Sequence, residues 1–220
     1  MSESEPAGFE NISCILFDLD GTLADTIELI VYCFRETLRV LGLPARSDAE
    51  IISQIGRPLI RQARDIDPAR VDEIFATYQR LYEKYHDGLV REFPGVREAL
   101  TGLAERGYRL GLVTSKRASS AGSDLDYFRL TPFFEVVITA DDTERHKPDP
   151  DPLLLALERL GVDAARATYI GDSPFDLRCA HAAGVLAGAV AWGPFPREEL
   201  EAEEPDYWIP QPPDLLTLFP

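Results

Sequence analysis

Cysteine is scarce, with three in 220 residues, at Cys14, Cys33 and Cys179. Scattered and odd in number, they fit neither a disulfide framework nor a thiolate zinc site, and they read as reduced core thiols. Basic residues are also short. Only 22 Lys and Arg stand against 38 Asp and Glu, a net charge of −16, which disfavours nonspecific binding to nucleic acid or to an anionic membrane. No apolar run is long enough to span a bilayer. The start, Met1-Ser-Glu-Ser-Glu-Pro6, lacks the basic-then-apolar pattern of a secretory signal. Repeats and low-complexity stretches are absent. Together these absences predict a globular, cytoplasmic protein without nucleic-acid or membrane partners. A monomer is the default, and a dimer is compatible with the sequence.

What is present is organised around one stretch. Cys14-Ile-Leu-Phe17 is a short apolar run closed by a glycine turn, the pattern of a strand buried on both faces. It ends in Asp18 and Asp20, followed by Gly21-Thr22. Two like charges this close repel, and burial raises the cost. A divalent cation between them removes the conflict, and oxygen-only ligands suit Mg²⁺.

The chain then turns helical. Thr26–Leu41 carries Ile27, Ile30, Val31, Phe34, Leu38 and Leu41 on one face of a 3.6-residue period. Ser47 and Glu50 have capping-box spacing for a second helix, Pro58 opens a third, and Asp67-Pro68 opens a fourth that runs to about His86. No strand pattern interrupts residues 23–90. The aromatic side of the fourth helix, with Phe75, Tyr78, Tyr82 and Tyr85, reads as packing core rather than a ligand platform.

From Phe93 onward, strands ending near Val113, Thr139, Ile170 and Ala191 alternate with helices placed at Val96–Arg106, Ser120–Leu130, Pro152–Leu160 and Phe175–Ala183. A last strand is expected near Tyr207–Ile209. This alternation predicts an α/β fold, a doubly wound and mostly parallel sheet with an inserted all-helical cap. The expected boundaries are a core of residues 11–22 and 91–220, a cap of residues 23–90 and an N-terminal tail of residues 1–10. Hinges are expected where the chain crosses between modules, near Leu23–Asp25 and Gly88–Pro94.

In such sheets, sites lie at the carboxyl ends of strands. Four strand ends supply Asp18 and Asp20, then Thr114 and Ser115, then a loop with Lys147, then Asp172 with Asp176 a helical turn on. These groups suit phosphoryl transfer. A carboxylate can attack phosphorus, and a metal and a lysine can neutralise the phosphoryl oxygens. A hydroxyl and the backbone N–H groups after Asp18, at Leu19 and Gly21, can cradle them. A second carboxylic acid can move the protons. Arg57 either reaches an anionic substrate or lies on the surface. His146 reads as a bystander, and Asp141-Asp142 as a solvated loop.

Phe17-Asp-Leu-Asp-Gly-Thr-Leu23, Thr114-Ser115, Lys147-Pro148 and Gly171-Asp-Ser-Pro-Phe-Asp176 resemble, in order, the four motifs of haloacid-dehalogenase-superfamily phosphatases. The likeness is greatest to the phosphoglycolate phosphatase-like branch, which includes a pyrophosphatase relative. The resemblance implies that Asp18 is the nucleophile and a Mg²⁺ ligand. It implies that Asp20 is the general acid/base and ligates through its backbone carbonyl. By the same likeness Thr114 binds a phosphoryl oxygen, Lys147 offsets charge, Asp172 ligates the metal and Asp176 supports it. The substrate implied is a small phosphorylated metabolite, a phosphoglycolate-like phosphomonoester or pyrophosphate. Dehalogenases of this fold lack the second acid, which is present here as Asp20. Phosphonate hydrolases use a cap lysine, and Lys84 stands alone in that region. A sugar-phosphate mutase of the same fold and a non-enzymatic phospho-acceptor signalling protein remain as alternatives.

Overall fold

A computed structural model describes residues 9–220; most of the tail expected at residues 1–10 lies outside the described residues. Phe9, assigned to that tail from sequence, packs edge-on against Tyr207 and Phe219, with ring centroids 4.9 and 5.5 Å away.

The first strand, β1 (Cys14–Phe17), is buried along its whole length. Ile15, Leu16 and Phe17 are fully removed from solvent, each worth about 1.5–3 kcal/mol of apolar burial. The chain then forms a two-residue strand, β2 (Ala24–Asp25), and four helices: α1 (Ile27–Val40), α2 (Asp48–Ile52), α3 (Leu59–Ile66) and α4 (Val71–Leu89). It returns through β3 (Arg91–Glu92), which pairs antiparallel with β2. The sequence shows no strand pattern here because two residues are too few to display a period of two.

After β3 the chain alternates. The elements are α5 (Val96–Glu105), β4 (Arg109–Val113), α6 (Ala118–Tyr127), β5 (Val136–Ile138), α7 (Asp151–Leu160), β6 (Ala167–Gly171), α8 (Pro174–Ala183) and β7 (Leu186–Val190). They are followed by α9 (Arg197–Glu201), β8 (Tyr207–Ile209) and α10 (Leu215–Leu218). The main sheet has the order β5-β4-β1-β6-β7-β8, and every pairing in it is parallel. β1 lies between β4 and β6, with Cys14 opposite Arg109 on one side and Ala167 on the other. The strand carrying Asp18 therefore opens at the middle of the sheet, where the strand order reverses direction.

Among the helices, α1 buries Leu29, Ile30, Cys33, Phe34, Thr37 and Leu38 and packs on α4. Ser47 and Glu50 form the expected capping box of α2. Two starts differ from the sequence reading by two residues or more. The fourth helix begins at Val71 because Asp67 instead closes a turn, its Oδ1 accepting from the Ala69 N–H at 3.0 Å. The sixth begins at Ala118, whose N–H donates to Asp141 Oδ2 at 2.9 Å. That cap comes from another loop, beyond the reach of a local pattern. Among the described residues, no helix is long and apolar enough to cross a membrane.

Candidate active site

The acidic turn after β1 is built tightly. The Leu19 carbonyl accepts from the N–H groups of Leu23 and Ala24, and the Gly21 N–H donates to the Ala24 carbonyl at 2.9 Å. That N–H, a candidate phosphate donor from sequence, is thus used to close the turn. Gly21 has φ +76°, and a Cβ there would meet Asp172 Oδ2 at 2.5 Å. Only glycine fits both demands.

Asp18 is buried at the end of β1. Its Oδ1 lies 2.9 Å from Lys147 Nζ, and that ammonium is its sole partner. Lys147 directs its hydrogen bonds to Asp176 Oδ1 at 2.6 Å and to the Tyr169 hydroxyl at 3.0 Å. Asp176 is held further by Ser173, whose hydroxyl donates to Oδ2 at 2.6 Å within the capping box of α8. Tyr169, on β6, donates to the Val113 carbonyl at 2.7 Å, so the phenol ties two strand ends to the ion pair. Sequence reasoning missed Tyr169.

Asp172, at the end of β6, is also buried. Thr22 Oγ1 donates to its Oδ1 at 3.0 Å, while Oδ2 has no partner. Asp18, Asp172 and Asp176 each present one carboxylate oxygen, all within 4.8 Å of one another. Burial drives the Asp18 carboxyl up to about 7 against the pull of Lys147, with Asp176 and Asp20 adding repulsion. Burial, then the charges of Asp176 and Asp18, hold Asp172 well above the usual carboxylate range. Burial opposes the charge on Lys147, but Asp176 and Asp18 outweigh it and keep the ammonium well above its ordinary value.

A small divalent cation fits this arrangement. Asp172 Oδ2 lacks a donor and Asp18 Oδ1 has the Lys147 ammonium alone, the set is all oxygen, and two glycines frame it: a Cβ at Gly193 would stand 2.4 Å from Asp172 Cβ. By contrast, both oxygens of Asp176 are already hydrogen-bonded. The Asp20 carboxyl turns elsewhere. Its Oδ1 accepts from the Thr26 hydroxyl and from Lys116 Nζ.

A cavity of about 380 Å³ opens over Asp18 and Asp20. Thr114 and Lys147 line its floor, and Arg57, Phe75, Tyr78 and Tyr82 line its roof. The aromatic side of α4 therefore packs and also faces the cavity. Arg57 reaches this roof with its charge engaged by Asp65 at 2.7 Å. Ser115 donates its hydroxyl to the Gly56 carbonyl at 2.6 Å, linking the sheet to the turn before α3. Thr114, buried at the end of β4, accepts from the Lys116 N–H at 3.2 Å. His146 also lines the cavity; burial, with the charge of Arg61, lowers its pKa. Asp141 does more than face solvent, pairing with Arg117 and capping α6.

Lys116 is a polar group at this cavity that sequence reasoning passed over. Its ammonium meets Asp20, the Tyr82 hydroxyl at 2.7 Å and Asp124. Asp124 is completely buried and also bonds His86 Nε2 at 2.7 Å. A signal existed: Ala121, Asp124 and Leu125 lie on the buried stripe of α6, and a carboxylate on such a stripe needs partners.

The chain is similar to several known proteins. A profile of the haloacid dehalogenase-like hydrolases matches residues 15–190. The pyrophosphatase PpaX of Anoxybacillus flavithermus is 38% identical over 209 residues, covering 95% of this chain and 97% of that protein. The pyrophosphatase PpaX of Bacillus pumilus is 38% identical over 207 residues, covering 94% and 96%. The solved structure of a haloacid dehalogenase-like family hydrolase from Streptococcus pneumoniae superposes with a TM-score of 0.84 at 27% identity, over 96% of this chain and 100% of that one. The fold is shared with a predicted phosphoglycolate phosphatase from Haemophilus somnus, at a TM-score of 0.86 and 23% identity over 96% and 99% of the two chains.

Proposed function

The chain belongs to the haloacid dehalogenase-like hydrolases, and from that footing we propose that it is a Mg²⁺-dependent phosphatase of a small phosphorylated metabolite, working through a phospho-aspartate on Asp18. The substrate is a phosphoglycolate-like phosphomonoester or pyrophosphate. The observation that carries the reading is the buried Asp18, paired with Lys147 and clustered with Asp172, whose Oδ2 has no donor, beneath a cavity.

Asp18 attacks phosphorus, forming a new O–P bond as the bond to the leaving oxygen breaks. Asp20 gives its proton to that oxygen, then takes one from a water that cleaves the acyl phosphate and regenerates Asp18. Lys147 neutralises the phosphoryl oxygens, and Thr114 donates to one of them. Asp18, Asp172 and the Asp20 carbonyl would hold Mg²⁺, which would supply further charge neutralisation when bound. Asp176 supports the metal by fixing Lys147. Residues 23–90 act as a cap that limits water at the site.

The test is phosphate release across a panel of phosphorylated metabolites and pyrophosphate, with Mg²⁺ and with chelator. Wild type is expected to require Mg²⁺, and folded Asp18→Asn is expected to lose about 10³-fold or more. Undiminished release by that variant would overturn the reading, and the preferred substrate identifies the branch.

A further inference from the structure

Asp20 is gripped on one side only. Both hydrogen bonds to its carboxyl, from Thr26 Oγ1 and Lys116 Nζ, fall on Oδ1, and among the described residues none is made to Oδ2. Lys116 is in turn anchored by Asp124 of α6 and by the Tyr82 hydroxyl. Asp124 accepts from Tyr82 at 3.0 Å and bonds His86 at 2.7 Å. Tyr82 and His86 both lie on α4, the last helix before the chain returns to the sheet. A fully buried carboxylate on a sheet-side helix thus joins two groups of α4 to the lysine that orients Asp20. The geometry points to Lys116 and Asp124 as positioning residues: together they hold Oδ1 of Asp20, leave Oδ2 to carry the proton to the leaving oxygen, and tie that orientation to the placement of α4.

The inference rests on the reading of Asp20 as general acid. Its physical basis is directional. A lysine on a flexible four-carbon stem orients a carboxyl only if its own ammonium is fixed, and the Asp124 carboxylate and Tyr82 hydroxyl fix it. Displacement of a reacting group by about 1 Å costs on the order of 10²-fold in rate. That loss concerns proton donation, so it falls on substrates whose leaving oxygen needs a proton.

The test compares kcat/KM for phosphoglycolate, which expels an alkoxide, with kcat/KM for 4-nitrophenyl phosphate, whose phenolate leaves unprotonated. This parameter covers steps only through departure of the leaving group. Lys116→Met and Asp124→Asn are expected to lose on the order of 10²-fold on phosphoglycolate and under about 10-fold on 4-nitrophenyl phosphate. Asp20→Asn serves as the reference and is expected to show the same split, more strongly. A split in Asp20→Asn with equal losses on both substrates in Lys116→Met would overturn the inference while sparing the acid assignment. No split in Asp20→Asn would overturn the acid assignment itself. A wild type that releases phosphate from neither of these substrates nor from pyrophosphate would overturn both. If Asp124→Asn does not fold, Lys116→Met decides alone, with Lys116→Arg expected to recover part of the phosphoglycolate rate.

Discussion

Asp18 and Asp172 come together in a buried acidic cluster, in which Asp172 Oδ2 has no hydrogen-bond partner and Asp18 Oδ1 meets the Lys147 ammonium alone, at 2.9 Å. Without a cation this pair is a local source of strain, because burial and mutual repulsion act together. Millimolar Mg²⁺ is therefore expected to raise the melting temperature of the wild type, with a gain near 2.7 kcal/mol at a hundred times the Kd. Asp172→Asn is expected to melt no lower than wild type in chelator and to show no rise with Mg²⁺. A variant still stabilised by Mg²⁺ to the same extent would remove Asp172 from the site.

Lys147 compensates two buried carboxylates, Asp18 and Asp176. Its removal leaves both without their cation, a defect that typically costs about 3–5 kcal/mol. Lys147→Met should accordingly shift the urea midpoint sharply downward in chelator. The double variant Lys147→Met, Asp176→Asn should recover part of that loss, since it restores charge balance. Destabilisation that the second substitution deepens would contradict this account.

His86 is held above its ordinary pKa, chiefly by its hydrogen bond to Asp124, against the effect of burial. The folded state binds the proton more tightly than the unfolded chain does. The resulting stability is complete below about 6.5, the unfolded value, and is lost as pH rises through the higher folded value. The difference in unfolding free energy between wild type and His86→Gln should shrink as pH rises from 6 to 9. A difference that grows over that range would show the sign to be wrong.

Gly171 sits against the first turn of α8, where a Cβ would stand 2.4 Å from Asp176 Cβ. Gly171→Ala must push that turn away and with it the carboxylate holding Lys147. A loss of about 1–3 kcal/mol in stability is expected from overpacking, together with about 10²-fold in activity from the displaced ion pair. Full activity in this variant would show that the backbone yields more easily than the geometry implies.

Groups whose partners are close in sequence were readable in advance. β1 and its acidic turn, the α2 capping box and the strand that ends in Asp172 all declare themselves through spacing of a few residues. Alternation of strand and helix was enough to place β1 inside a parallel sheet. Lys116, Asp124 and His86 were harder to read, because most of their bonds join residues far apart in the chain: His86 and Asp124 are 38 residues apart, and Lys116 and Asp20 are 96. His86 does continue the four-residue row of Ile74, Tyr78 and Tyr82 on the buried side of α4, but a histidine on an apolar row does not name its acceptor. Phe9 was lost to the tail for a similar reason, as both rings that hold it lie beyond residue 206.

The pairing of Ala24–Asp25 with Arg91–Glu92 makes the departure and return of the chain a single ladder. The two ends of the intervening helices meet one strand spacing apart, about 5 Å. Geometrically that ladder is a socket. A segment whose termini meet at this spacing can be exchanged there with the sheet register intact, so the roof over Asp18 can diversify wherever it keeps the α4 groups that hold Lys116 and Asp124.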